Sequence, residues 1–152
     1  MRLQKSSSIA LFAVLELAAN PAHQLSAMDI AEKYGISAHH LAKVLRGLGR
    51  AGIVDAVRGV GGGYQLIANP KRLTLFDVIE IFEPIGPRTV REGSSVVVDA
   101  RAALDLVLAE LDEHAIATFR SITISTMLKL MARKASTQQQ PSRPVRKAAS
   151  QR

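Results

Sequence analysis

The sequence of 152 residues contains no cysteine. The chain can therefore form no disulfide, no catalytic or redox-sensing thiol and no cysteine-ligated metal or cluster. Tryptophan is also absent and aromatic residues make up only 4% of the chain, whereas 47% of its residues are hydrophobic. This composition indicates an aliphatic, helix-rich core, and the length suits one compact domain with appendages.

Long apolar runs are missing as well. No stretch approaches the roughly 20 apolar residues that span a bilayer, and no signal peptide is visible. The most apolar segment near the start, Ile9–Ala19, is interrupted by Glu16 and is followed by Asn20-Pro21. We therefore expect a cytoplasmic protein with no membrane partner.

Metal ligands are scarce. The four histidines, His23, His39, His40 and His114, have no spacing typical of a zinc site. His39 and His40 are adjacent, so on a helix they point about 100° apart. We predict neither a metal site nor a cofactor.

The net charge of +7 is unevenly distributed. Residues 2–72 hold nine Lys/Arg and four Asp/Glu, whereas residues 73–113 hold three Lys/Arg and nine Asp/Glu. Residues 114–152 hold eight basic residues and no acidic one. These blocks suggest an N-terminal part that binds nucleic acid, an acidic middle part with another role and a cationic tail. Any single block could also be a solvated surface.

Apolar periodicity and capping signals predict three helices at the start of the chain. They run over Ser6–Ala19, from Ser26 to about Tyr34, and from Ala38 to about Ala51. A capping-box-like pattern opens the second, and Gly35 lies in the short turn before the third. This pattern predicts a helix-turn-helix, although a generic helical hairpin would share it.

The exposed face of the third helix separates these two interpretations. It is expected to carry His39, His40, Lys43, Arg46 and Arg50, and the helix contains no acidic residue. A surface selected only for solubility usually mixes both signs. The pattern therefore favours DNA binding, with solvated charges as the alternative for each side chain.

A glycine-rich stretch follows this helix. Arg58–Tyr64 contains four glycines and lies between two alternating apolar runs, Ile53–Val57 and Tyr64–Ile67. Glycine adopts positive φ without a Cβ clash, so the stretch predicts the tip of a β-hairpin. After a basic helix, such a hairpin is typical of the wing of a winged helix. A tight turn with no further role is the simpler alternative.

The second half is predicted to be helical. Helix four should run from Thr74 to about Phe82, and residues 85–95 read as a loop. A longer helix should begin near Val97 or Val98 and carry an apolar stripe of Leu104, Leu108, Leu111 and Ala115. The stripe suits packing between subunits, with packing inside the chain as a competitor.

The last helix is predicted over Ile122–Ala132, and the polar chain from about Ser136 onward is predicted to be disordered. The expected fold is therefore mainly α with a small β-hairpin, a winged helix-turn-helix followed by a long dimerisation helix. We divide it into the winged helix-turn-helix (1–85), a loop (86–96), dimerisation helices (97–134) and a basic tail (135–152).

Residues 1 to about 130 resemble the Rrf-type winged-helix regulators of bacteria, the family that includes IscR, NsrR and CymR. Short motifs in matching order carry the resemblance: Met1-Arg2-Leu3, Ile30-Ala31-Glu32, Gly35-Ile36-Ser37, Leu48–Gly52, Val57-Arg58-Gly59, Gly61–Leu66 and Thr74–Ile79. His40-Leu41, Lys43-Val44 and Ile81–Pro84 look closest to the NsrR branch. The resemblance implies a homodimeric transcription factor, most often a repressor, whose long helices pair across the dimer.

The chain departs from this family at one functional position. Cluster-binding members carry three cysteines in the loop after helix four, and here that loop, 86–96, has none. Some relatives add a ligand at the start of helix one, where this chain has Ser6-Ser7-Ser8. Sensing through an iron–sulfur cluster is therefore not carried over, and a small-molecule effector, a protein effector or no effector remains open.

The expected partner is double-stranded DNA, bound at a pseudo-palindromic operator. Ser37, His39, His40 and Lys43 should lie nearest the bases, and Arg46 and Arg50 should clamp phosphates, although Arg46 could also contact a base. The full set of predicted DNA contacts is Arg2, Lys5, Ser26, Ser37, His39, His40, Lys43, Arg46, Arg50, Arg58, Gly61 and Gly62.

Two other function classes fit parts of the sequence. In the first, the protein is an interaction module controlled by a partner protein, and DNA binding is secondary. In the second, it is an enzyme whose glycine-rich loop holds a nucleotide. Gly59-Val60-Gly61 lacks a third glycine at position 64 and precedes a strand instead of a helix, so we do not expect an enzyme.

Overall fold

The computed structural model describes residues 3–84 and 98–138. Its elements are α1 (Lys5–Ala19), α2 (Ala27–Tyr34), α3 (Ala38–Arg50), β1 (Val54–Val57), β2 (Gly63–Leu66), α4 (Leu75–Ile79), α5 (Val98–Ser121) and α6 (Ile124–Gln138). The predicted class, mainly α with one antiparallel hairpin, is confirmed. Arg2, the loop 86–96 and the chain from residue 139 onward lie outside the described residues.

The core is aliphatic, as the composition indicated. Its largest fully buried side chains come from α1, α2, α3, α4 and α6: Leu17, Ile30, Leu41, Leu45, Leu48, Ile79 and Ile124. Each such side chain contributes about 1.5–3 kcal/mol when it leaves water. Within this core α1 packs on α3, α4 and α6, and α2 packs on α3.

Two capping boxes fix the beginnings of short helices. The Asp29 amide donates to Ser26 Oγ at 3.1 Å, and the Ser26 amide donates back to Asp29 Oδ2 at 3.1 Å. Thr74 and Asp77 form the same reciprocal pair at α4. Both pairs were predicted from sequence, because the motif is local and satisfies amides that have no partner within the helix.

A buried carboxylate joins α1 to α2. Glu16 accepts hydrogen bonds from Lys33 Nζ at 2.7 and 2.8 Å, from Tyr34 Oη at 2.9 Å and from Asn20 Nδ2 at 3.3 Å. The Phe12 ring stacks on Tyr34 with centroids 5.1 Å apart. This network holds the first helix of the helix-turn-helix against α1.

The hairpin is also attached to the helix-turn-helix. In the pair β1–β2, Val54 lies opposite Leu66 and Val57 opposite Gly63. Beyond this pair, Leu25 exchanges both backbone hydrogen bonds with Tyr64, at 3.1 and 2.8 Å. The segment before α2 thus pairs with the outer side of β2, which places the hairpin next to the N-terminus of α2.

This pairing requires a glycine. A Cβ added at Gly63 would lie only 2.6 Å from the Leu25 carbonyl oxygen. Such a contact is far inside van der Waals distance, so the backbones approach this closely only because residue 63 has no side chain.

Two helix ends differ from the prediction. α4 ends at Ile79, and residues 80–83 continue as an irregular turn in which the Phe82 and Glu83 amides both donate to the Ile79 carbonyl. The predicted end of the last helix at Ala132 is also wrong, because α6 continues to Gln138 and residues 135–138 are therefore helical instead of part of a disordered tail. Arg, Lys, Ala and Gln are good helix formers, and polar composition alone does not end a helix.

The long helices are joined to the winged part by backbone hydrogen bonds. The Leu75 amide donates to the Ile122 carbonyl and the Ile124 amide to the Leu73 carbonyl, each at 2.9 Å. The Arg120 guanidinium lies 4.3 Å from the centroid of the Phe76 ring. Among the described residues, no helix is long and apolar enough to cross a membrane.

Candidate DNA-binding surface

The exposed side of α3 forms a basic ridge. His39, Lys43, Arg46 and Arg50 are all exposed. At about 100° per residue they fall within roughly 60° of one another around the helix. Leu41, Val44, Leu45 and Leu48 point inward and are buried. The amphipathic pattern therefore presents four basic or histidine side chains in one direction.

His40 was expected on this ridge, and the structure contradicts that position. Its Nε2 lies 3.3 Å from Ser6 Oγ on α1, and the side chain is half-buried. The physical reason is the helical period, because His40 is rotated about 100° from His39. His40 therefore faces α1 and the end of α4.

The wing follows the ridge. Gly59 and Gly61 adopt positive φ, 112° and 77°, as predicted for a glycine-rich tip. Gly62 is also constrained, because a Cβ there would lie 2.4 Å from the Val57 carbonyl oxygen. Arg58 and Val60 are fully on the surface of this tip. The wing thus presents one cation and one apolar side chain.

A groove of about 350 Å³ separates the ridge from the wing. Arg46 and Arg50 line it on the α3 side, and Asp55 and Tyr64 line it on the wing side. Asp55 and Tyr64 were not among the site residues predicted from the sequence. The alternation of β1 and β2, with Ala56 paired to Tyr64, was the only signal that could have placed Tyr64 on this face.

The cations of the ridge and wing are unpaired within the part of the chain that the structure describes. There, the one ion pair joins Lys33 to Glu16. Lys43, Arg46 and Arg50 therefore have no carboxylate within 4.0 Å in residues 3–84 and 98–138. Their charge is available to an external anion such as a phosphate.

The remaining residues predicted to contact DNA differ in how free their side chains are. Lys5 and Ser37 are exposed at the starts of α1 and α3, and the Ser37 side chain makes no capping bond. The Ser26 hydroxyl, in contrast, already donates to Asp29 Oδ2 at 2.7 Å and accepts from the Asp29 amide. Its capacity for a further contact is smaller than the sequence suggested.

The predicted apolar stripe on α5 is exposed. Leu104, Leu108 and Leu111 are 57%, 45% and 60% exposed, and Ala115 is half-buried. Val107 lies on the same side of the helix and is 52% exposed. The described residues of the chain do not cover this stripe, which removes support from the alternative of packing inside the chain.

Comparison with known proteins identifies the family to which this chain belongs. The model of the Rrf2 family, described as iron-dependent transcriptional regulators, matches residues 3–130. The chain belongs to the Rrf2 family. It is therefore a DNA-binding transcriptional regulator and not an enzyme, and the resemblance noted in the sequence is confirmed.

Individual relatives agree with this assignment. The chain is 53% identical over 131 residues to BadM of Rhodopseudomonas palustris, named as an HTH-type transcriptional regulator, covering 86% of this chain and 83% of that protein. It is 33% identical over 81 residues to the regulator NsrR of Shouchella clausii, covering 53% and 54%. The solved structure of CymR from B. subtilis superposes with a TM-score of 0.73 at 25% identity, covering 86% and 98%.

The donor set of this Rrf2 regulator does not fit an iron–sulfur cluster. The whole sequence contains no cysteine, so thiolate ligands are lacking. Within residues 3–84 and 98–138, no three His, Asp or Glu side chains lie together in a way that could hold a metal ion.

Proposed function

We propose that this Rrf2 regulator is a cytoplasmic homodimeric repressor that binds a pseudo-palindromic operator through α3 and the wing. The observation that carries the proposal is the ridge of exposed cations on α3, which have no ion-pair partner among the described residues, with Arg58 beside it. A repressor of this kind acts by occupying the DNA that the transcription machinery needs.

Each element has its own role in the docking we propose. The N-terminal half of α3 enters the major groove, so Ser37, His39 and Lys43 face base edges. Arg46 and Arg50, further along the ridge and next to the wing groove, contact phosphates. Arg58 reaches the backbone or the adjacent minor groove, where a narrow groove attracts arginine.

Dimerisation is supported by the α5 stripe. α5 has 24 residues, a length of about 36 Å. Apolar side chains exposed along such a length are characteristic of an interface between subunits. A two-fold dimer presents two α3 helices, which matches half-sites about 34–36 Å apart or a multiple of that spacing.

Regulation is proposed to proceed without a cysteine-ligated cluster, because the chain supplies no thiolate. The protein would then purify without a visible chromophore under anaerobic conditions. A small molecule or a partner protein is the expected kind of effector.

The test begins with genome-wide footprinting to find the operator, followed by binding measurements on that fragment. Arg46→Ala or Arg58→Ala should weaken binding by about 1–3 kcal/mol where the lost contact is to a base. Loss of a phosphate contact should instead lower the salt slope by about one unit. Lys129→Ala, on an exposed part of α6, is the charge control and should bind as wild type. Unchanged affinity in both arginine variants contradicts this docking.

A further inference from the structure

A second concave surface lies on the other flank of α3, away from the wing. It has a volume of about 420 Å³ and is bounded by α3, the beginning of α1 and the turn after α4. Pockets that hold small molecules usually measure about 300–1,000 Å³. The space is therefore large enough for a small organic ligand.

The rim of this cavity is basic. His40, Lys43 and Arg50 line it, and none of its lining residues is acidic. Glu83 is close in sequence to the lining, but its carboxylate accepts the Gln4 amide at 3.2 Å. Two permanent positive charges and a histidine therefore face one cavity with no carboxylate on its wall.

The inner wall is apolar. Val44, Ile81 and Phe82 form it, and the Phe82 ring lies directly on the α3 backbone at Gly47. A Cβ at residue 47 would be 3.0 Å from Phe82 Cε1, so beside a larger residue the ring would have to shift by a few tenths of an ångström. A glycine inside a helix is destabilising relative to alanine. Here the missing side chain of Gly47 leaves the space in which the Phe82 ring contacts α3.

We propose that this cavity binds a small organic anion with an apolar body, and that such an anion competes with DNA. The anionic group pairs with Lys43 and Arg50, and the body packs on Val44 and Phe82. A hydrogen bond from arginine or lysine to an anionic group is stronger than a hydrogen bond between two neutral groups. The competition rests on the proposed function, because Lys43 and Arg50 are also the proposed DNA contacts.

Direct binding is tested on DNA-free protein with 1-anilinonaphthalene-8-sulfonate, an aromatic sulfonate, and with neutral N-phenyl-1-naphthylamine as the matched probe. Arg50→Gln should raise the Kd of the sulfonate about tenfold or more and leave the neutral probe unchanged. Ala51→Phe, which places a ring at the exposed edge of the cavity, should block both probes. Lys129→Gln should change neither.

Circular dichroism verifies that each variant is folded. Equal sulfonate affinity in wild type, Arg50→Gln and Ala51→Phe would overturn the proposal, because the probe would then be bound elsewhere, for example on the exposed α5 stripe.

Competition is tested by gel shift on the operator fragment with added sulfonate probe, using equimolar methanesulfonate as the salt control. The probe should weaken DNA binding by wild type but not by Ala51→Phe. If the probe occupies the cavity and DNA affinity stays constant, competition is overturned. If wild type fails to bind DNA even without the probe, the proposed function fails, while the fluorescence result still decides the cavity.

Discussion

The phenol of Tyr34 donates a hydrogen bond to Glu16 Oε2 across 2.9 Å, and this bond changes the acidity of both groups. Burial and the neighbouring Glu16 carboxylate raise the pKa of Tyr34 to about 12. Burial alone would raise the pKa of Glu16, but the hydrogen bonds from Lys33 and Tyr34 outweigh it and hold that pKa below 4.5. Tyr34 therefore affects the stability of the protein at high pH, and Glu16 affects it at low pH.

We expect Tyr34 to keep its proton in the folded protein until about pH 12, whereas an unfolded tyrosine loses it near pH 10. The resulting stability is fully present below pH 10 and is lost as the pH rises to about 12. Titration of tyrosinate absorbance at 295 nm should show a late step that is missing in Tyr34→Phe. Identical end points in the two proteins would contradict the prediction.

The Glu16 contribution has the opposite sign. Because the folded pKa is lowered, its stability is present above pH 4.5 and is lost as the pH falls through the folded value. Urea denaturation of wild type should therefore show a steeper loss of stability below pH 4.5 than denaturation of Glu16→Gln. Parallel pH profiles for the two proteins would show that the carboxylate is not involved.

Ser7→Ala should stabilise the protein. Ser7 is fully buried, and its Oγ has no hydrogen-bond partner among the described residues. An unsatisfied buried hydroxyl costs about 1–3 kcal/mol, and the change also improves helix propensity by about 0.5 kcal/mol. Ser8→Ala in the same helix is the control and should show only the propensity gain. The comparison uses urea unfolding, and an equal gain in both variants would mean that Ser7 Oγ has a partner.

Gly63→Ala should destabilise the wing attachment. The new Cβ would meet the Leu25 carbonyl at 2.6 Å, and forced contacts of this kind cost about 1–3 kcal/mol. At Gly49 a Cβ would meet nothing closer than 3.7 Å, so Gly49→Ala should instead stabilise by about 1 kcal/mol. Urea unfolding with opposite signs for the two variants supports the Leu25–Tyr64 pairing, and equal signs refute it.

Leu108→Asp should convert the proposed dimer to a monomer, because it places a charge in the apolar stripe of α5. Leu106 is more exposed, 72% against 45%, but points to the other side of the helix. Leu106→Asp should therefore remain dimeric. Light scattering at micromolar concentration measures both, and a monomeric wild type would remove the basis for the test.

Sequence reasoning worked where the cause is local. The capping boxes at Ser26 and Thr74, the positive φ angles of Gly59 and Gly61, and the buried stripe of α3 each depend on neighbouring residues. These features were enough to predict the winged helix and most of its basic ridge.

It failed where the cause lies elsewhere in the fold. His40 lies beside Ser6, and Asp55 and Tyr64 share a groove with Arg46, because α1 and the wing pack on opposite flanks of α3. No short window of sequence contains these partners.

The hydrogen bonds between Leu73–Leu75 and Ile122–Ile124 have a consequence for the operator itself. They fix the angle at which the long helix leaves the winged part, and in the proposed dimer that angle sets the distance between the two α3 helices. The number of base pairs between half-sites would then be determined by this junction, far from any nucleotide. A substitution there could change which spacing is tolerated while every contact to the bases is kept.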